Sequence, residues 1–544
     1  MDWPTPSSSR IKEIIARYGS ISAVVALAVG LRLLYLVLMQ GTPGFVWIDP
    51  DGYLFRAWSL IGEDGAWRWN TDAVRYSGPY VKAPLYPLLL STLEYSPRGY
   101  RWSAGVVHAL LSALAVVGLW SLVRSLRSAK AGLLAALIYA VYFPSVVSMN
   151  VIMQERLYVP LLIVAFALLA WALKTGNRLS RFALAGLALG VAALARSMPL
   201  YFVGPAALLI AICADSWRRG LRPAGLFMAG FCAVTLPYSI FISGEVQQVV
   251  AIENVGAYGI ARLDPEGERR FPNGGVEAPT AVQVALFTGS QFLKDPAAFL
   301  LDKVSLTSGA FRLGGGRWLD LYGTFPTAKS AFWGKIAAHS FGDILFAMFV
   351  LAAPFGFMSA RQDTVAKLLA LWVVTHLGMS AIAGYSGPRF REPVDWALLA
   401  LAALLLSEEA RPGLSRRRLV AALPPAILLG WTMVSSIKAS VSGRADYGIG
   451  PWESDANTRT TTAEAAAGFK VPVVRGATDV VLKPAGSRLS TRVEVRIADQ
   501  PSRTVMVTAG GYELRVPSSR DLAFVEVEPV AKGSPTGLLI EVRR

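Results

Sequence analysis

Apolar runs long enough to cross a bilayer recur along most of this chain, and they constrain it more than any other feature. In hydrocarbon every backbone N–H and C=O must be satisfied internally, and a run of about 20 apolar residues does that as a helix. Hydrophobic residues make up 53% of the 544 positions and charged residues only 17%. The expected architecture is therefore a polytopic α-helical membrane protein. The net charge of +16 does not point to nucleic acid, because many basic residues sit in short loops between apolar runs, where they anchor a cytoplasmic face. Cys213 and Cys232 both fall in apolar runs, which excludes a disulfide framework.

About eleven spans are expected, near residues 20–40, 102–123, 131–149, 157–173, 182–195, 199–214, 224–243, 341–359, 368–384, 394–407 and 419–437. Several are shorter than a perpendicular span wants, so tilt or local thinning is implied. Five basic clusters set the orientation: Arg10, Lys12 and Arg17; Arg124, Arg127 and Lys130; Lys174, Arg178 and Arg181; Arg218, Arg219 and Arg222; Arg416, Arg417 and Arg418. With eleven spans all five fall on one side, which the positive-inside rule makes the cytoplasm. Loops 41–101 and 244–338, and the tail, then lie outside. The implied location is a bacterial plasma membrane.

The tail reads differently. "TRVEVRIAD", "RTVMVTAGGYELRV" and "FVEVEPV" alternate apolar and polar residues, with Gly-rich breaks. That is the period of strands joined by turns. The expected division is a transmembrane catalytic domain over 1–439, its outer loops carrying interfacial helices, and an all-β, sandwich-like extracytoplasmic domain over 440–544.

Charged residues gather where the outer side meets the membrane. "WIDPDGYLFRA" holds Asp49 and Asp51 just after the first span; the plain alternative is a wetted loop that caps a helix. Tyr53, Ala57 and Leu60 share one helical face after them. "VKAPLYPLLL" carries Lys82, either a snorkelling anchor or a phosphate holder. Glu155 in "NVIMQERLYVP" is either an outer-side functional carboxylate or a loop acid paired with Arg156. Arg196 occupies a short outer turn, and Arg389 and Arg391 precede the tenth span, against the positive-inside bias; lipid headgroup contact is the structural alternative. Acids suit removal of a proton from a hydroxyl, and bases suit a phosphate leaving group.

The order of these motifs resembles the GT-C superfamily of membrane glycosyltransferases, and most of all its protein O-mannosyltransferase and aminoarabinose transferase branch. The resemblance rests on "DPDGYLFRA", "KAPLYPLLL", "QERLYVPLL", "GLALGVAALARSMPLYF", "ENVGAYGIARLDP" and "PRFREPVDWALLA", and spans about residues 20–407. It implies an inverting transfer of a sugar from a polyprenyl-phosphate donor to a hydroxyl acceptor (a glycan, lipid or protein) on the outer face. The first-loop base maps to Asp49, with Asp51 competing, and the second acid to Glu155. Lys82, Arg196, Arg389 and Arg391 map to the donor phosphate site. Tyr53, Tyr86, Asn254 and Tyr258, within the same motifs, are the implied substrate contacts. Many relatives carry an Asp-Glu pair where Asp49-Pro50-Asp51 stands, and the Trp-Trp-Asp signature of oligosaccharyltransferases is absent.

No phosphate-binding loop or dinucleotide fingerprint occurs, so no nucleotide is expected; the donor arrives by lateral diffusion. A divalent cation is left open, with Asp49 and Glu155 as its candidate ligands. His108, His339 and His376 show no ligand spacing. Two other readings compete: a lipid-linked sugar transporter or flippase, which would want broken helices at mid-bilayer and internal repeats, and a non-catalytic carbohydrate-binding scaffold.

Overall fold

The computed structural model describes residues 8–39, 53–61, 66–77, 80–93, 97–175, 178–214, 216–258, 260–261, 270–271, 278–311, 332–383, 391–405, 420–427 and 430, together with eight strands of the tail. The molecule is mostly helical. Among the described residues six helices are long and apolar enough to cross a membrane: Gly19–Leu38, Trp102–Leu126, Glu155–Thr175, Trp217–Val246, Phe341–Ser359 and Thr364–Ile382. Shorter apolar helices cover Ala129–Val141, Ser180–Ala195 and Pro199–Ile212.

The run expected as one span over 131–149 is broken. Its helix stops at Val141, Tyr142 is extended (φ −62°, ψ 106°), and a short helix resumes over Phe143–Val147 with Pro144 in its first turn. Proline has no N–H to give, its ring clashes with the carbonyl four residues back, and it disfavours the helical conformation of the residue before it, so a break before Pro144 is favoured. The division at Arg196 has a similar origin. Arg196 is extended (φ −163°, ψ 130°), and Pro199 opens the next helix.

Helix Ser180–Ala195 packs on helices Glu155–Thr175 and Trp217–Val246. Glycines allow the second contact. A Cβ on Gly186 would stand 2.0 Å from the Phe227 carbonyl oxygen, and one on Gly230 2.1 Å from that of Ala183. The backbones touch, as at small-residue interfaces between membrane helices. Helix Glu392–Ala403 is buried from Pro393 to its end. Phe166, Phe202, Trp372 and its own Trp396 form an aromatic cluster with centroids of contacting rings 5.1–6.1 Å apart. Both indole N–H groups donate to the Pro393 carbonyl, at 3.0 and 2.8 Å, which satisfies the polar edge of each ring in an apolar core.

Beyond Val246 the chain turns back. Gln247 takes the left-handed conformation (φ 52°) that ends the helix. Ser243 Oγ then accepts from Val250 N at 2.9 Å, and the buried Ile252 follows. A helical pair, Ala281–Lys294 and Pro296–Ala310, comes next, started by a capping box of Thr280 and Gln283. It exposes Val282, Leu286, Leu293, Leu301 and Val304.

The tail's strands form two four-stranded antiparallel sheets. One orders Thr461–Ala465, Leu538–Arg543, Asp479–Pro484 and Tyr512–Arg515; the other orders Phe469–Val474, Leu522–Pro529, Ser490–Ile497 and Arg503–Thr508.

Candidate functional site

Lys82 is held by its neighbours before its side chain does anything. Strands Arg75–Ser77 and Tyr80–Val81 pair antiparallel, and Lys82 N donates to Val74 O at 2.7 Å. Pro84, which has no N–H, leads into helix Leu85–Ser91. Lys82 is buried, at 5% exposure, so it is not a snorkelling anchor. Its Nζ lies 4.9 Å from the centroid of the Tyr53 ring, a cation–π contact that strengthens as water is excluded.

Tyr53, Ala57 and Leu60 share a buried face, as the sequence spacing suggests. The Tyr53 hydroxyl donates to Gln154 Oε1 at 2.6 Å, and its ring meets the edge of Tyr86 at 5.0 Å. Tyr86 contacts His108 Nε2 at 3.0 Å, while His108 Nδ1 is 3.2 Å from Met149 O. A carbonyl can only accept, so Nδ1 carries the hydrogen and Nε2 accepts from the Tyr86 hydroxyl. His108 thus orients an aromatic wall through hydrogen bonds.

Glu155 opens helix Glu155–Thr175 and pairs with Arg196, not with Arg156. The side chains are 0% and 7% exposed. Adjacent helical residues project about 100° apart and cannot pair with each other readily. Arg156 instead reaches Glu392 and donates to Ser148 Oγ. A buried ion pair loses several kcal/mol of hydration per ion, roughly offset by attraction, so its presence argues for a task more than for stability.

Glu253, which sequence reasoning did not single out, joins the two bases' loops. Its Oε1 accepts from Ser197 N at 3.0 Å and Ser197 Oγ at 2.6 Å, and its Oε2 accepts from Ala83 N at 3.2 Å. Asn254 Oδ1 accepts from Val81 N at 2.7 Å, and Asn254 N donates to Val81 O at 3.2 Å. Tyr258 stacks edgewise on Tyr80 at 5.1 Å. The contacts close on themselves: Lys82 to Tyr53, to Gln154 and its neighbour Glu155, to Arg196 and its neighbour Ser197, to Glu253, to Ala83. Tyr158, one turn beyond Glu155, is fully buried, and its hydroxyl has no hydrogen-bond partner among the described residues.

Arg391 belongs to an adjoining cluster. Its Nε stands 3.0 Å from Asp395 Oδ1, its guanidinium lies 3.5 Å over the Phe346 ring, and Tyr142 donates to Asp395 Oδ2 at 2.9 Å. Burial disfavours its charge, but Asp395, Tyr142 and Asp343 together outweigh this and hold the Arg391 guanidinium above its ordinary range. The Arg156–Glu392 pair links this cluster to the helix that carries Glu155. Asp49, Asp51 and Arg389 lie outside the described residues.

The arrangement offers two buried cations and an aromatic wall from separate loops, which suits a phosphate flanked by an apolar or sugar group. Of the two candidate metal ligands, Glu155 pairs through Oε1 with Arg196, and Asp49 lies outside the described residues. No group of three metal-ligating side chains occurs among the described residues. A separate cleft of about 320 Å³ lies between helices Ala281–Lys294 and Pro296–Ala310, lined by Gln291, Lys294, Asp302 and Lys303 among others; it holds none of the residues above. Glu253 was hidden in the sequence because an acid in a polar loop looks solvated. Its one signal was its place beside Asn254 in "ENVGAYGIARLDP".

Residues 82–241 match the family described as dolichyl-phosphate-mannose-protein mannosyltransferase. The match bears out the GT-C resemblance read from the sequence. No curated protein matches the chain. Among solved structures, the apo oligosaccharyltransferase of Archaeoglobus fulgidus aligns at 17% identity over 81% of this chain and 57% of its own, with a TM-score of 0.45. ArnT from Cupriavidus metallidurans, bound to undecaprenyl phosphate, aligns at 16% identity over 78% and 65%, with a TM-score of 0.44. Arabinosyltransferase EmbB from Mycobacterium smegmatis aligns at 13% identity over 100% and 65%, with a TM-score of 0.31. The chain spans little more than half the length of the archaeal protein.

Proposed function

We propose, on the premise that this chain is a GT-C membrane glycosyltransferase, that it moves a sugar from a polyprenyl-phosphate donor to an acceptor hydroxyl, with inversion, at the outer face of the membrane. The carrying observation is the closed set of contacts that puts buried Lys82 and Arg196 on neighbouring loops beside Tyr53, Tyr86 and Glu155.

In this reading the two bases bind the donor phosphate. The bond between the anomeric carbon and the phosphate oxygen breaks, and its electron pair leaves with the polyprenyl phosphate. Negative charge grows on that phosphate, and fixed cations in a water-poor site stabilise it there without reorganising. The anomeric carbon gains oxocarbenium character. The acceptor oxygen attacks from the opposite face and loses its proton to Asp49, with Asp51 the competing base. Glu155 orients Arg196, and Tyr53 and Tyr86 wall the sugar. Arg391, with Arg389, serves the lipid-phosphate side through the neighbouring cluster.

The finer architecture belongs to the same proposal. Eleven spans, with the basic loops cytoplasmic, put this site and the tail outside, in a bacterial plasma membrane. Residues 440–544 act as a β-sandwich domain that helps handle the acceptor. The apolar faces of Ala281–Lys294 and Pro296–Ala310 rest on the outer leaflet.

The test is sugar transfer by single variants of the purified chain. Asp49→Asn, nearly isosteric but unable to take a proton, should lose about 10²–10⁴-fold in rate, with expression and donor binding near those of the parent protein. Substantial activity in Asp49→Asn with loss in Asp51→Asn would exchange the two roles. Activity in both variants would overturn a first-loop base.

A further inference from the structure

Three consecutive backbone N–H groups around Lys82 are each assigned to a different partner. Val81 N donates to Asn254 Oδ1, Lys82 N to Val74 O and Ala83 N to Glu253 Oε2, at 2.7, 2.7 and 3.2 Å. The other oxygen of Glu253 takes both donors of Ser197, the residue after Arg196. One carboxylate therefore bridges the residue following one base and the residue following the other. The two loops are far apart in sequence and come from different helical hairpins. Among the described residues, a longer route between Lys82 and Arg196 runs through Tyr53, Gln154 and Glu155.

We propose that Glu253 is a positioning residue that sets the separation of Lys82 and Arg196, and so the fit of the site to a lipid monophosphate; this rests on the reading of Lys82 and Arg196 as donor-phosphate ligands. A phosphate bridged by two cations has a narrow range of productive spacing, because each charge-assisted contact is made at about 2.7–2.9 Å. A carboxylate is suited to hold that spacing. Its two oxygens lie at a fixed angle and can each accept from a separate loop. With both oxygens engaged by donors, Glu253 is arranged as an anchor and not as the proton acceptor of the reaction. The left-handed turn at Gln247 and the Ser243–Val250 contacts deliver it to this place from the end of helix Trp217–Val246.

The experiment uses the full chain in lipid nanodiscs and undecaprenyl monophosphate as the probe, with affinity and thermal midpoint measured for each variant. Glu253→Gln keeps the size but turns one acceptor into an N–H₂ donor facing another donor. It should weaken binding about tenfold, the equivalent of one lost charge-assisted hydrogen bond, with the thermal midpoint near that of the parent. Glu253→Asp keeps the charge but is too short to reach both loops, so it should behave like Glu253→Gln; full retention of affinity would show that charge, not spacing, is what matters, and would overturn the proposal. In a Lys82→Met background, Glu253→Gln should add less than about twofold, because its effect acts through Lys82. Full additivity would also overturn it. Should Glu253→Gln fail to fold, Ser197→Ala removes only the hydroxyl donor and should weaken binding about two- to threefold; unchanged affinity would count against the proposal. The two layers separate cleanly. If Lys82→Met and Arg196→Gln leave lipid-phosphate affinity unchanged, the functional reading fails. If they weaken it and the Glu253 variants do not, only the positioning role fails.

Discussion

At the scale of the residue, the Glu155–Arg196 pair is the sharpest case of a cost without an obvious structural return. Removing one partner strands a buried charge. Glu155→Ala should therefore destabilise the protein by ~3–5 kcal/mol, while a double change of Glu155 and Arg196 to methionine should recover most of that loss. Thermal unfolding of the detergent-solubilised variants measures both. Tyr158 makes the opposite prediction. Its buried hydroxyl has no partner among the described residues, so Tyr158→Phe should leave the thermal midpoint unchanged or slightly raised; a fall of more than ~1 kcal/mol in stability would mean the hydroxyl is bonded in the folded protein. How much of this was readable depends on the residue. Lys82, Glu155 and Arg196 announce themselves because charge interrupts apolar sequence at a membrane edge, where hydration is expensive. Their pairing does not, since Glu155 turns away from Arg156 toward a residue 41 positions on, and no periodicity encodes that choice. Glu253 is silent for the complementary reason: acids are common in polar loops, and only folding turns this one inward.

At the scale of the element, two causes shape the bundle, and both are local. At Tyr142 and Pro144 the helix breaks where hydropathy alone would continue it, although other prolines, such as Pro160 and Pro237, are carried inside helices. Hydropathy averages over a window and cannot see a single missing N–H, so the span over 131–149 was legible as apolar but not as broken. Glycine sets how near helices come. Gly186→Ala would put its Cβ 2.0 Å from a backbone oxygen that has no rotamer to move. The helices must separate, at ~1–3 kcal/mol as for overpacking in a core. Gly225, in helix Trp217–Val246, has nothing within 4 Å of its would-be Cβ. Gly225→Ala should be neutral or mildly stabilising, since alanine is the better helix former by ~1 kcal/mol. Opposite shifts of the thermal midpoint for these two variants are the expected outcome; equal shifts would show that the close approach of the two backbones is not what the glycine serves.

At the scale of the whole molecule, the apolar runs announce a helical membrane protein and the period-two pattern announces strands near the end. The strands Ser490–Ile497, Arg503–Thr508 and Leu522–Pro529 fall on the alternating stretches because a pleated backbone points successive side chains to opposite faces. The side of the membrane on which the tail sits rests on the parity of the spans as well as on the basic loops, and a single broken span such as that over 131–149 changes the parity. A cysteine introduced at Lys470 should react with an impermeant thiol reagent applied to intact cells; protection until the membrane is opened would put the tail in the cytoplasm and move every proposed site with it. A chain ending near Ser440 should stay folded and still transfer to a small acceptor mimic. Its loss of all transfer while demonstrably folded would make the tail part of the catalytic unit. The closed contact around Lys82 has a consequence for the order of synthesis. Its members leave the ribosome in sequence, Tyr53 and Lys82 early, Glu155 and Arg196 next, and Glu253 last. A nascent chain that has just released residue 241, the end of the family-matched stretch, already contains both bases and the route between them through Tyr53, Gln154 and Glu155, but not the Glu253 carboxylate that bridges the two loops directly. On the proposed role of Glu253, the spacing of the two bases is therefore completed only once residue 253 has been translated.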